Sequence, residues 1–398
     1  MKKNILMITP EPFFEPRGTP ISVYHRTKAL SNLGYSIDFL TYHVGQNVQL
    51  KNTRIVRIAK LPFVRKIKIG PSYIKILLDL FLLFKAISLC IKKKYDFIHV
   101  HEEASVIGIL LKKLFKIPLI YDMHSSMPQQ LINYGFTSSK AVINLFANFE
   151  KKVIENSDAV IAISPDLKNI ADSIHAGKTK LIENTIVFSG KSSKRDIIRL
   201  KRKLGIANEK VILYTGTFES NQGLDILLQT VPLVLEQEKN IKYVLVGGQP
   251  SQIEELKALA KELNVENYVL FTGQRQFQEI SLFLSMADIL VSPRNKGTNT
   301  PLKIYSYINS GKPIVATNIY SHTQVLTPKI SILADANHKS FANGILKLLQ
   351  NEKLREKLGK KALKVAKEMY GQKDYANKLK QAYLEVYNQV KHAEIKNF

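Results

Sequence analysis

Residues 210–248 read KVILYTGTFESNQGLDILLQTVPLVLEQEKNIKYVLVGG. Two runs in this stretch, KVILYTG (210–216) and IKYVLVGG (241–248), are rich in β-branched and aromatic residues, and each closes on glycine. Between them Gly223 opens an amphipathic helical pattern. Strand, glycine turn, helix and strand make a βαβ unit, whose two strands run parallel. The strands are apolar on both faces, as in a sheet covered by helices on either side.

The same alternation runs through the whole chain. Further strand patterns are NILMIT (4–9), SIDFLTY (36–42), RIVRIAKL (54–61), DFIHVH (96–101), PLIYDMH (118–124), AVIAIS (159–164) and KLIEN (180–184). After the opening stretch come NYVLFTG (267–273), DILVSPR (288–294), PIVATN (313–318) and ISILA (330–334). Helical patterns lie between most of them. The fold class is α/β, with doubly wound parallel sheets. The segment SGKSSKRDIIRLKRKLG, within 188–205, is polar, basic and poor in strand formers, and a linker is expected there. Both halves then start with a strand, a glycine-bearing turn and a helix, which predicts two similar domains. Residues 351–391 predict helix, broken near Gly371.

Composition narrows the class. The chain has 398 residues, enough for two domains of roughly 190 residues each. Hydrophobic residues at 45% and charged residues at 23% exclude disorder as the main state. A single cysteine, Cys90, excludes a disulfide scaffold and fits a reducing compartment. At the N-terminus NILMIT is too short for the apolar core of a secretory signal. The longest apolar stretch, Tyr73 to Ile91, is interrupted by Lys75, Asp79 and Lys85, which argues against a membrane span. The net charge of +25 points to polyanionic partners: nucleic acid, anionic lipid or phosphorylated substrates.

In doubly wound sheets ligands bind beyond the carboxyl ends of the strands. Gly18 and Thr19 follow the first strand, near a helix expected to open at Pro20, where free amides accept an anion. A plain strand–helix turn would also call for glycine there. His99, His101, Glu102 and Glu103 end one strand and His124 ends the next. Such histidines hold substrate hydroxyls or move protons, or serve structure alone. No HxxxH or HExxH occurs, and His99 and His101 are expected to alternate across their strand, so no metal site is expected. Gly216 and Gly223 form a second anion-tolerant turn, but not GxGxxG, so a dinucleotide is not indicated. The densest segment is SPRNKGTNTPLKIYSYINSGKPIVAT (292–317). Here Arg294, a Gly-, Thr- and Asn-rich loop and Lys303 near a helix start converge where a phosphate would sit. A lysine in the first helical turn opposes the helix dipole, which a bound phosphate would explain. A solvated lysine is the other reading.

These motifs, in this order from about residue 4 to 390, resemble glycosyltransferase family 4, the retaining nucleotide-sugar enzymes of GT-B fold. The likeness rests on LSNLGYSIDFLT, DFIHVHEEA, PLIYDMHSS, SDAVIAISPDLK, KLIENTI, VILYTGTFESNQGLDILL, YVLVGG, VLFTGQ, MADILVSPR and TPLKIYSYINSGKPIVATN. The resemblance implies two Rossmann-like domains with the active site between them: an acceptor-side domain over 1–190 and a nucleotide-sugar-binding domain over 191–373. A C-terminal helix, about 374–398, would cross back to the first. It implies no cofactor and no metal, the leaving diphosphate being balanced by cations and amides. His124 sits where the family has a histidine near the transferred sugar. Gly18 and Thr19 match its phosphate-approaching loop, and Asn184 matches an asparagine ending the first domain's last strand.

Four family charges are missing. Thr217 and Gln222 stand where an Arg and a Lys usually grip the diphosphate. Thr298 and Ser306 stand where two glutamates eight apart are usual. Either Arg294 and Lys303 have taken over the phosphate, or the chain is a degenerate, non-catalytic member that binds a membrane surface or partner enzyme. The first is the expectation, with Thr217, Gln222, Asn299, Thr300 and Ser306 lining the donor pocket and His101 and Glu102 on the acceptor side. The expected reaction moves a sugar from a nucleoside diphosphate sugar to a hydroxyl of a lipid-linked or cell-surface glycan precursor.

Residues 51–94 carry twelve Lys or Arg against one acid, Asp79, which is +11 of the net +25. An apolar body with cationic flanks suits the surface of an anionic membrane, or an ordinary buried helix with solvated lysines. A cytoplasmic protein, peripheral on the inner face of the membrane, is expected. With no Trp in the chain and few aromatics here, a nucleic-acid groove is disfavoured.

Overall fold

The computed structural model describes residues 3–15, 18–65, 67, 72–133, 136–186 and 192–396. The chain divides into two compact units, Met1–Asn184 with Gln372–Phe398, and Thr185–Gly371. The boundary expected at 190/191 falls among residues 187–191, outside those described.

In the first unit the described strands are β1 (Asn4–Thr9), β2 (Ser36–Thr41), β3 (Thr53–Arg57), β4 (Phe97–His101), β5 (Leu119–Met123), β6 (Ala159–Ala162) and β7 (Thr179–Leu181). They form one parallel sheet in the order β3-β2-β1-β4-β5-β6-β7. The second unit holds β8 (Lys210–Gly216), β9 (Ile241–Gly247), β10 (Val269–Gly273), β11 (Ile289–Ser292), β12 (Ile314–Thr317) and β13 (Ile332–Ala334). Its order is β10-β9-β8-β11-β12-β13, again all parallel.

Both sheets reverse direction of strand addition once, at β1/β4 and at β8/β11. Outside the carboxyl ends of those strand pairs lies the crevice where doubly wound sheets take ligands. The apolar pattern explains the layers. In the second unit Ile212, Tyr214 and Tyr243 pack with Leu227 and Val231 on one face, while Val211, Leu213 and Val244 pack with Ile304 and Tyr307 on the other. Neither face meets water, so alternation between polar and apolar residues is absent from β8.

Residues 194–203, expected to be linker, form a helix, Lys194–Lys203. Ser193 caps it through Asp196 N–H at 3.1 Å, Asp196 sits in its first turn, and Lys201, Arg202 and Lys203 in its last. Ile197 and Leu200 rest on the second unit's core, an apolar edge concealed in a basic run. The C-terminal region makes two helices, Glu352–Met369 and Gln372–Lys396, parted at Tyr370 and Gly371. Tyr370 O accepts from Thr185 Oγ1 at 3.1 Å and Ile186 N at 3.4 Å, and the following helix packs on the first unit.

Candidate active-site groups

In the second unit the β8/β11 crevice is built from two glycine-shaped turns and one lysine. β8 ends at Gly216, whose φ of +146° lies in the region open to glycine. Gly223, at φ +67°, opens the helix Leu224–Leu235, and a Cβ there would lie 2.1 Å from Pro293 O. That close approach brings the loop after β8 against the loop after β11, and Asn295 N–H donates to Asn221 O at 3.1 Å.

Lys303 is the second residue of the helix Leu302–Ser310. Its Nζ lies 3.7 Å from the Tyr214 ring centroid and donates to Gln222 Oε1 at 3.1 Å. Tyr214 Oη donates to Thr217 O at 2.7 Å, holding that turn open. No carboxylate of a described residue pairs with Lys303, and a Cβ on Gly216 would lie 2.9 Å from its Nζ. Burial, reinforced by the nearby Arg294 charge, pulls the Lys303 ammonium well below the usual lysine range. A cation held over an aromatic face, at a helix start and without a counter-ion, is stabilised by an arriving anion.

Arg294 is arranged differently from the expectation of a free phosphate clamp. Its Nε donates to Lys296 O at 2.6 Å and Nη1 to Asn299 O at 3.0 Å, with Gly297 (φ +119°) folded around the guanidinium. It braces the loop and adds positive potential. Ser306 Oγ and Thr300 Oγ1 are buried and have no hydrogen-bond partner among the described residues, while Thr298 O accepts from Gln324 Nε2 at 2.6 Å. The Thr217 side chain is exposed; its carbonyl, not its hydroxyl, is the organised group. Sequence reading passed over His322. It bridges Ser292 Oγ (2.9 Å) and Thr317 Oγ1 (3.0 Å), with burial lowering its pKa to about 3, so it is neutral and ties the ends of β11 and β12 together.

In the first unit the groups gather on Asp122, on β5. Arg26, fully buried in the helix Gly18–Asn32, pairs with Asp122 through Nε at 2.8 Å and Nη2 at 3.1 Å. His99 Nε2 lies 3.2 Å, His124 Nε2 3.3 Å and His101 Nδ1 3.7 Å from the same carboxylate. His101 Nδ1 and His124 Nε2 are 3.3 Å apart. The expectation that His99 and His101 alternate across the strand is corrected: residues two apart on a strand share a face, and these rings stand 4.7 Å apart. Despite opposing burial, Arg26 and the surrounding imidazoles hold the Asp122 carboxyl well below its usual range. Burial lowers His99 and His101, so both are neutral.

His99, His101 and Asp122 bring three possible metal-ligand atoms within 4.8 Å. Arg26, a permanent cation, already occupies both oxygens of that carboxylate, and a divalent ion there would sit beside it. The donor set does not fit a metal.

The other first-unit candidates surround this core. Gly18 and Thr19 are the first residues of their helix, which starts two residues earlier than expected, and the space beside Gly18 is open within 4 Å. Pro16 and Arg17 of that loop lie outside the described residues. Ser22 Oγ donates to Asn184 Oδ1, bringing the helix and the segment after β7 together. Glu102, at φ +48°, accepts from Ser125 Oγ at 2.7 Å and Gln130 Nε2 at 3.3 Å. Burial, with Glu103 beside it, raises its carboxyl to about 7. Glu150 accepts from Met127 N at 2.7 Å and Ser126 Oγ at 3.0 Å, fixing the loop that follows His124. Arg26, Asp122 and Glu150 were not read as site residues; an Asp inside an apolar strand, two residues before a strand-end His, was the available signal.

Within 51–94 the helix Tyr73–Lys92 buries Leu78, Leu82, Ala86, Leu89 and Cys90 and exposes Tyr73, Ile76, Leu80, Phe84 and Ile91. The neighbouring helix Ser105–Phe115 exposes Val106, Leu110 and Leu114. Residues 66 and 68–71 of the segment lie outside those described. No helix of the described residues is long and apolar enough to cross a membrane.

Comparison with known proteins agrees with this architecture. Residues 196–365 match the family model described as glycosyl transferases group 1, and residues 16–187 match that of Glycosyltransferase Family 4. An uncharacterized glycosyltransferase of Methanocaldococcus jannaschii is 25% identical over 73% of this chain and 75% of its own. Alpha-monoglucosyldiacylglycerol synthase of Streptococcus pneumoniae is 24% identical over 67% of this chain and 61% of its own. The crystal structure of Anabaena HepE in complex with UDP and glucose superposes with a TM-score of 0.76 at 18% identity, covering 95% of this chain and 98% of that one. Two parallel Rossmann-like sheets, each with its switch-point crevice, and family models over both halves make one statement: the chain belongs to glycosyltransferase family 4, the GT-B glycosyltransferases.

Proposed function

We propose that the protein is an active, retaining transferase that moves a sugar from a nucleoside diphosphate sugar to a hydroxyl of a lipid-linked or cell-surface glycan precursor, without a metal. The observation that carries this is Lys303: a cation packed on Tyr214, at the switch point of the second unit, with no carboxylate among the described residues to neutralise it. Lys303 would take the diphosphate as a charge-assisted partner, and Arg294 would add field from the braced loop. Gln222, Asn299 and the unpartnered hydroxyls of Thr300 and Ser306 supply polar groups for phosphate, sugar and ribose. Asn299, Thr300 and Ser306 stand in for the family's glutamates. Gly18 and Thr19 leave room and amides for a phosphate, and His124 meets the sugar, with His101 and Glu102 toward the acceptor.

The acceptor reading has separate support. The helix Tyr73–Lys92 exposes an apolar stripe flanked by lysines, the composition of a surface that rests on an anionic bilayer. The S. pneumoniae relative is named for a diacylglycerol product, which agrees with a lipid-linked acceptor. Titration of the protein with UDP, GDP, ADP and their sugar conjugates, with and without magnesium, tests the donor. Binding of one nucleotide without metal, lost in Lys303→Ala, supports transfer. Absence of binding to all of them by folded protein supports the non-catalytic reading.

A further inference from the structure

A cavity of about 670 Å³ lies in the first unit, beside Phe97 and Pro118, where β4 and β5 begin. These are the amino ends of the strands, opposite the crevice at the carboxyl ends, and the volume suits a small ligand. Tyr95, Phe115 and Tyr387, the last on the helix Gln372–Lys396, give it an apolar lining. Lys92, Lys93, Lys94, Lys116 and Lys391 also line it, against one acid, Asp96.

Two of these charges are already committed. Lys93 pairs with Asp38 at 3.2 Å, and Asp96 accepts from Asn4 N–H at 2.6 Å. Lys92, Lys94, Lys116 and Lys391 pair with no carboxylate of a described residue. The helix dipole accounts for Lys92, in the last turn of its helix, but not for Lys94 and Lys391 at the same cavity. Lys116 carries a further mark. It ends the helix Ser105–Phe115 at φ +57°, a left-handed conformation that glycine takes at lower cost. It lines both this cavity and a smaller one of about 290 Å³ beside it. Lysine held at a glycine-like position, next to other cations, is explained by an anion that it binds.

The surroundings identify the kind of anion. The exposed apolar stripe of the helix Tyr73–Lys92 ends on Ile91, which is 72% exposed and also lines the cavity. A second stripe, Val106, Leu110 and Leu114, runs along Ser105–Phe115 toward Phe115 at the same place. A ligand that matches carries a phosphate for the lysines and hydrocarbon continuous with the stripes.

We propose that this cavity is a binding site for the phosphate headgroup of an anionic lipid, held by Lys92, Lys94, Lys116 and Lys391. It deepens the bilayer-facing reading of Tyr73–Lys92 and rests on it: the stripes supply apolar contact, and the cavity recognises the headgroup.

The test is calorimetric titration of the full-length protein with dihexanoyl phosphatidylglycerol below its micelle concentration, alongside dihexanoyl phosphatidylcholine and inorganic phosphate. The anionic lipid is expected to bind at least about tenfold tighter than either of the others. Lys116→Gly combined with Lys391→Gln weakens it at least about tenfold, with a thermal melt close to wild type because glycine suits the left-handed position. Lys360→Gln combined with Lys364→Gln removes the same charge from the second unit and leaves binding unchanged. Equal affinity for the two lipids, inorganic phosphate bound as tightly as the anionic lipid, no binding of that lipid, or full affinity in the Lys116 and Lys391 variant overturns the proposal. Because the lipid is monomeric, failure of the protein to hold vesicles would count against the bilayer reading and leave this titration intact.

Discussion

Lys303 Nζ sits 3.7 Å above the ring of Tyr214, and the hydroxyl of that same tyrosine holds the Thr217 carbonyl at 2.7 Å. One aromatic side chain therefore supports the cation and shapes the turn beside it. Removing the cation should leave the turn standing. Lys303→Ala is predicted to weaken binding of the nucleoside diphosphate roughly 10- to 100-fold, the value of a charge-assisted contact of about 1.5–3 kcal/mol, with a circular-dichroism melt close to wild type. Titration calorimetry on both proteins checks this.

The depressed Lys303 pKa gives a prediction with a definite sign. Its folded value lies below 10.5, so between the two values the unfolded chain holds a proton that the folded chain lacks. Stability of the unliganded protein therefore rises with pH across that window, and Lys303→Met flattens this part of the profile. Diphosphate binding favours the ammonium, so binding at alkaline pH takes up a proton. Calorimetry in buffers of different ionisation enthalpy should show that uptake, and Lys303→Met should abolish it.

The two glycines of the second crevice both resist substitution through their positive φ, and they differ in what the new Cβ meets. In Gly216→Ala the new Cβ meets Lys303 Nζ at 2.9 Å, the far end of a flexible side chain, at a φ of +146°, so nucleotide affinity falls together with a backbone-strain loss of stability. In Gly223→Ala the Cβ meets the backbone oxygen of Pro293 at 2.1 Å with φ at +67°, and the loss is in folding stability, more than about 1 kcal/mol. Denaturant melts and nucleotide titrations on both variants separate the cases.

The Arg26–Asp122 pair is fully buried on both sides. Arg26→Met leaves the Asp122 charge without its strongest partner and is predicted to cost about 3–5 kcal/mol in urea unfolding, a loss that exposed pairs such as Lys360–Glu356 would not produce.

For the membrane face, replacing Phe84 and Ile76 together with serine should reduce co-sedimentation with phosphatidylglycerol vesicles by at least about tenfold, since each removes on the order of 1.5–3 kcal/mol of apolar burial. Neutral vesicles should bind the wild type weakly, and added salt should release it. Equal binding of the double variant would remove this helix from the acceptor account.

Much of the architecture was legible because it depends on short-range pattern. All the strand patterns, from NILMIT to ISILA, correspond to strands, since a buried parallel strand is apolar at successive positions and glycine closes several of them. Gly223, Arg294 and Lys303 were legible as neighbours because each follows or opens an element at a strand's carboxyl end. The helix Lys194–Lys203 was not, because Ile197 and Leu200 are the residues of that helix that contact the core, scattered in a basic run. Nor was the network on Asp122: Arg26, His99 and Tyr383 are brought together by sheet register and a chain return of 284 residues, which no local pattern records. The orientation of the Arg294 guanidinium onto its own loop depends on the Gly297 backbone, and a sequence shows only that a cation is present.

The most direct measurement is titration of the metal-free protein with UDP, GDP, ADP and their sugar conjugates, run in parallel with Lys303→Ala. The account predicts that one nucleotide binds without magnesium and that the substitution weakens it at least about tenfold. Wild-type binding that Lys303→Ala leaves unchanged, or no binding by folded wild-type protein, would contradict it.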